Sequence, residues 1–133
     1  MLDQWEVFTA GPTKPKEDRL YLSLNFKGQI FMNRQAVEAI GSPETVELLF
    51  SPRTSKIGIR RVSPKATSAF HLKDRPDGHA KMIQASPFCR NYNIKVKGTV
   101  GFNHVELDED DMLILDLTDT SRVSRVRGQN QLP

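Results

Sequence analysis

Leu20, Leu22, Leu24 and Phe26 alternate with Tyr21, Ser23 and Asn25, the two-residue period of a half-buried strand. Lys27-Gly28 supplies a turn, and Gln29–Met32 reads as a returning strand with Ile30 and Met32 on one face. Asn33 is a good helix N-cap, because its side-chain oxygen can accept from an exposed backbone N–H. Arg34–Ile40 then places Ala36, Val37 and Ile40 on one helical face. Gly41 can take the left-handed conformation that ends a helix, and Pro43 stops the helix from resuming. Thr45–Phe50 alternates again, with Val46, Leu48 and Phe50 in register. Ser51–Ser55 is a turn cluster, and Lys56–Val62 pairs back with Ile57 and Ile59 on one face.

A weaker version of this order follows a linker, Ser63–Ser68, rich in Ser, Thr and Pro. Ala69–Lys73 opens it. Asp74–Gly78 stands where Lys27-Gly28 stood, and His79–Gln84 is the second strand. Ser86-Pro87 starts a short helix, since proline in the first turn loses no needed N–H. Phe88, Cys89 and Tyr92 form its apolar side, and Asn93 occupies the place of Gly41. Thr99–Leu107 and Met112–Thr118 close the copy as a hairpin around Asp108-Glu109-Asp110. The pattern therefore predicts an α+β, β-rich fold of two tandem β-β-α-β-β units, residues 19–62 and 69–118. An arm, residues 1–18, precedes them and a basic polar tail, residues 119–133, follows. The arm holds Gly11-Pro12 and Pro15, which sustain no regular element. Trp5, Val7 and Phe8 are too apolar for a solvated tail, so they are expected to dock on the body or to bury at a contact between subunits.

Composition narrows the class only modestly. Of 133 residues, 38% are hydrophobic and 26% charged, an ordinary globular balance. No apolar run reaches the ~20 residues of a bilayer-spanning helix. Met1–Glu6 lacks a basic segment leading into an apolar core, so no secretory signal is expected. Cys89 is the sole cysteine; it allows neither an internal disulfide nor a paired-cysteine zinc site, and a reducing cytoplasm is the simplest compartment. The thiol follows a helix start, where a thiolate is favoured. Its neighbour Phe88 and its spacing to Tyr92 favour a buried structural residue instead.

No local pattern carries catalysis. There is no Gly-rich phosphate loop and no nucleophile elbow. His71, His79 and His104 lack metal-ligand spacing. The acidic run from Glu106 to Asp111 lacks a glycine-centred calcium loop and reads as a solvated turn that guards a sheet edge. No enzyme activity, metal or cofactor is expected.

The formal net charge is only +3, so placement matters more than sum. Lys27, Arg34, Arg53, Lys56, Arg60 and Arg61 fall at turns, a helix start and a hairpin. These positions suit phosphate contact, and equally suit ordinary solubilising charge.

The segment Gly28-Gln29-Ile30-Phe31-Met32-Asn33-Arg34-Gln35-Ala36-Val37-Glu38-Ala39-Ile40-Gly41, with its hairpin to Arg61, resembles the AbrB/MraZ-like swapped-hairpin superfamily. The family pattern is close to Gly-Arg-Ile-x-Ile-Pro, a short helix, Leu-Gly and a hairpin. Here Gln29 replaces the arginine and Asn33 the proline. The acidic-x-x-x-arginine helix motif of the MraZ type is absent from the first copy, and the second keeps only Arg90. The resemblance covers residues 19–62 and, through the weaker copy, extends to Leu117. It implies hairpins exchanged to close a small barrel, and a non-catalytic transcriptional regulator that binds double-stranded DNA through those six basic residues. The alternative is a protein–protein assembly module of the same fold without nucleic acid, forming a homo-oligomer through the arm.

Overall fold

The computed structural model describes residues 3–9, 11–12, 19–76 and 78–123. Strands β1 (Leu22–Asn25) and β2 (Gln29–Met32) form a hairpin, followed by helix α1 (Arg34–Ala39) and the hairpin β3 (Thr45–Ser51) and β4 (Lys56–Arg61). The second half contains β5 (Phe70–His71), β6 (Lys73–Asp74), β7 (Lys81–Gln84), helix α2 (Ser86–Asn91), β8 (Thr99–Phe102), β9 (Val105–Leu107), β10 (Leu113–Asp116) and β11 (Thr120–Arg122).

These strands make two antiparallel sheets, ordered β11-β8-β1-β2-β7-β6 and β5-β3-β4-β10-β9. Each sheet is held together by two pairings between the halves of the chain, β1–β8 and β2–β7 in the first and β3–β5 and β4–β10 in the second. In the first, Ile30 faces Ile83 across β2 and β7. In the second, Ile59 faces Leu113 and Ile57 faces Leu115 across β4 and β10. The inward residues of both sheets, among them Leu22, Leu24, Ile30, Ile57, Ile59 and Leu115, are fully or almost fully buried in one core. Ala36, Val37 and Ile40 of the α1 region, with Phe88 and Cys89 of α2, complete it.

The single closed barrel expected from the resemblance is not what forms. The chain leaves one sheet for the other at Leu72, between β5 and β6, and again at Asn103-His104, between β8 and β9. Opposite Asn103-His104 stand four residues, Asp116–Asp119, because Phe102 pairs with Thr120 while Val105 pairs with Leu115. The surplus residues bulge and bend the ribbon, as bulges do at sheet corners. Asp116 holds this corner, its carboxylate accepting from the Thr118 N–H at 2.9 Å and hydroxyl at 2.6 Å. The predicted strands Ala69–Lys73, Thr99–Leu107 and Met112–Thr118 are each cut by these corners, and the expected tail begins with a strand, β11.

Local chemistry explains the first half. Asn33 caps α1 by accepting from the Ala36 N–H at 2.9 Å. The same oxygen accepts from the Tyr21 N–H at 3.2 Å, and the Asn33 amide donates to the Arg19 carbonyl at 2.7 Å. One side chain thus starts the helix and fixes the entry to β1. Gly41 and Asn93 both take positive φ, at 86° and 55°, after their helices. α2 differs at its start: Ala85 is the N-cap and offers no side-chain bond. The Ser86 hydroxyl is used elsewhere, donating to the Lys27 carbonyl at 2.9 Å.

Two apolar expectations are corrected. Phe26 lies beyond β1 and is 65% exposed. Asn25 ends the strand because its side-chain oxygen accepts from the N–H groups of both Lys27 and Gln29, each at 3.0 Å. The described part of the arm does not bury its apolar groups on the body: Trp5, Val7 and Phe8 are 88%, 84% and 76% exposed. No helix among the described residues is long and apolar enough to cross a membrane.

Candidate nucleic-acid interface

The six basic residues singled out from the sequence separate into two groups. β4 runs from Lys56 to Arg61, so its ends lie about 17 Å apart at the rise of an antiparallel strand. Arg60 and Arg61 are at one end with α1, and Arg53 and Lys56 are at the other.

Two of the cations in the α1 group are already neutralised. Arg34 pairs with Glu38 at 2.9 Å, one turn along α1. Arg60 pairs with Glu47 at 2.6 Å across the β3–β4 ladder. Glu47 also accepts from the Ser68 hydroxyl at 2.8 Å. The Ser68 hydrogen bond, then the Arg60 guanidinium, hold its carboxyl below its ordinary value. Arg61 extends past the end of α1, where its guanidinium lies over Gly41; a Cβ there would come within 2.9 Å of it.

Lys27 belongs to the other group. The β1–β2 turn packs against the start of α2: Gly28 has φ +80°, and a Cβ on it would stand 2.8 Å from the Ser86 backbone. Its carbonyl accepts from the Ala85 N–H at 2.8 Å. This close approach opens a cleft of about 700 Å³ between the turn, α2 and the loop after it. Lys27, Arg90 and Lys95 line it, with Phe26 beside them and Cys89, Ile94 and Val96 as apolar wall. Among the described residues no acidic side chain lines it. Burial pushes the Cys89 thiol above its ordinary pKa, which makes it a packing group and not a thiolate nucleophile.

The loop that carries Lys95 continues to the β3–β4 hairpin. Asn93–Val96 also line a shallower cleft with Phe50, Ser55 and Leu117. Ser55 is in the turn that holds Arg53 and adjoins Lys56. Lys27, Arg90 and Lys95 share the first cleft, and the loop that carries Lys95 joins it to the turn between β3 and β4. Lys27, Arg53, Arg90 and Lys95 make no ion pair among the described residues. Lys56 faces Asp116 in the β4–β10 register.

A second cleft, of about 440 Å³, is built in the same manner from α1, the loop after it and the turn before β7. Here Arg34 and Lys81 are accompanied by Glu38 and Glu44. Lys81 itself is paired with Asp74. Both clefts join a turn, a short helix and the loop after it, but the charged residues lining the first are cations alone among the described residues, whereas the second balances two cations with two carboxylates.

Arg90, Lys95 and Phe26 were not selected from the sequence as site residues. Arg90 had a faint signal, as the remnant of the family helix motif, but nothing local brings it to Lys27, 63 positions earlier. Among the described residues no three His, Cys, Asp or Glu side chains gather as a metal-holding group. Arg125 and Arg127 of the basic tail lie outside the described residues. No protein-family model, curated protein or solved structure matches the chain.

Proposed function

We propose that this protein is a non-catalytic, double-stranded-DNA-binding regulator of AbrB/MraZ type, acting in the cytoplasm. The observation that carries the reading is the surface around Lys27, Arg90, Lys95 and Arg53, which has no ion-paired acid among the described residues. Uncompensated cations release counterions from a phosphate backbone, whereas paired ones must first break an existing contact. Of the six sequence-selected residues, Lys27 lines the first cleft, and the reading adds Arg53 and Lys56 from the adjoining β3–β4 hairpin. Arg34, Arg60 and Arg61 are flanking contributors at the α1 end. Gel-shift titration of a random-sequence duplex at several salt concentrations tests it, with Lys27→Ala, Arg90→Ala and Lys95→Ala combined as the comparison.

The same reading takes the two halves as two copies of one unit, meeting as two subunits of a dimer would. Its support is a short helix set between strands in each half, the β2–β7 and β4–β10 pairings between halves, the positive φ at Gly41 and Asn93, and the two clefts of like construction. Divergence of charge between the clefts then leaves one copy to contact phosphate.

One observation favours a second reading, assembly through the arm. Trp5, Val7 and Phe8 present three large apolar groups to solvent within four residues. Exposed apolar clusters of this kind mark interaction sites.

A further inference from the structure

We propose that the basic cleft beside Phe26 receives the arm of a second copy of this chain. The inference rests on the assembly reading and names its two surfaces. The arm segment Asp3-Gln4-Trp5-Glu6-Val7-Phe8-Thr9 is exposed throughout and forms no regular secondary structure, so its side chains and backbone are available. It carries two carboxylates, Asp3 and Glu6, and no cation. The cleft carries Lys27, Arg90 and Lys95 and, among the described residues, no carboxylate. Its wall, formed by Phe26, Cys89, Ile94 and Val96, is apolar. Each side thus has what the other lacks: aromatic anchors with negative charge, against an apolar recess with a positive rim. A volume of about 700 Å³ is in the range that accepts a drug-sized group such as an indole with its neighbours.

The other cleft is the poorer receiver. Glu38 and Glu44 line it and would repel Asp3 and Glu6. A second copy is the occupant because the arm's own body leaves Trp5 88% exposed. Nine residues separate Thr9 from Arg19, a reach of roughly 30 Å when extended, enough to cross to a neighbour. Every copy offers one arm and one cleft, so reciprocal exchange closes a two-fold dimer. An arm seated there also covers Lys27 and Lys95, and so competes with duplex DNA for the same charges.

Sedimentation and Trp5 fluorescence on the full chain test this together, Trp5 being the sole tryptophan. The expected result is self-association that rises with protein concentration, with a blue shift of Trp5 emission in step. Reversing the rim with Lys27→Glu and Lys95→Glu should weaken association by about tenfold or more. Adding Asp3→Lys and Glu6→Lys to that chain should restore it, which a merely misfolded variant would not allow. If the rim reversal leaves association unchanged, the arm–cleft contact is wrong while assembly by another surface stands. A chain that is monomeric at every concentration overturns both. A blue-shifted Trp5 independent of concentration places the arm on its own body and overturns the exchange.

Discussion

Gly28 shows how one residue positions the candidate site. Its positive φ and the backbone of Ser86 at 2.8 Å from an added Cβ leave no room for a side chain. Gly28→Ala should therefore cost about 2–5 kcal/mol, from left-handed backbone strain together with a clash against backbone. Urea unfolding measures it, and a change near zero would mean that the turn does not seat on α2. The glycine itself is evident in the sequence as a turn former. Its partner is not, because the need for close approach is created by a helix 58 positions away. Glu47 offers a pH test at the same scale. Hydrogen bonds from Ser68 and Arg60 lower its folded-state pKa, so its stabilising contribution is present above the unfolded-state value and is lost as pH falls through the folded one. The stability gap between wild type and Glu47→Gln, from urea titrations across the acid range, should shrink on acidification. A gap independent of pH would assign the effect to something other than the carboxylate.

At the scale of elements, α1 and its flanks were the most legible part of the chain. Cap, apolar face and stop are all local: Asn33 caps, Ala36, Val37 and Ile40 bury, and Gly41 turns left-handed. Ile40 is 1% exposed and packs in the common core. Ile40→Ala should cost about 2–5 kcal/mol, the sum of lost burial and the cavity left behind; thermal or urea unfolding decides it. The sheet corners were illegible for the opposite reason. Nothing in Phe70-His71-Leu72-Lys73-Asp74 marks a break, because the break arises where two sheets draw the same segment in different directions. Phe26 obeyed the strand period yet escaped the core, since Asn25 folds its own side chain into the following turn and ends the alternation one step early.

For the whole molecule, the two halves depend on each other. β2 finds β7 and β4 finds β10, so each sheet is completed only across the linker. Residues 19–66 and 67–123 expressed apart should each lack stable sheet by circular dichroism, and recover it on mixing. Independent folding of either fragment would remove the argument for mutual completion. The candidate interface is also a whole-molecule property. The sequence showed six cations without their pairing; the fold neutralises Arg34 and Arg60, and gathers Lys27 with Arg90 and Lys95 in a cleft that no acid lines among the described residues. Spacing along a chain carries no information about such neutralisation, which depends on Glu38 one helical turn away and on Glu47 across a ladder.

The most direct test of DNA binding is the salt dependence of duplex affinity. The account predicts binding at low salt and a linear fall of log K with log salt. In the Lys27→Ala, Arg90→Ala, Lys95→Ala variant the slope should flatten by about one counterion for each phosphate that no longer meets a cation. Absence of duplex binding at low salt, or an unchanged slope in that variant, would contradict it.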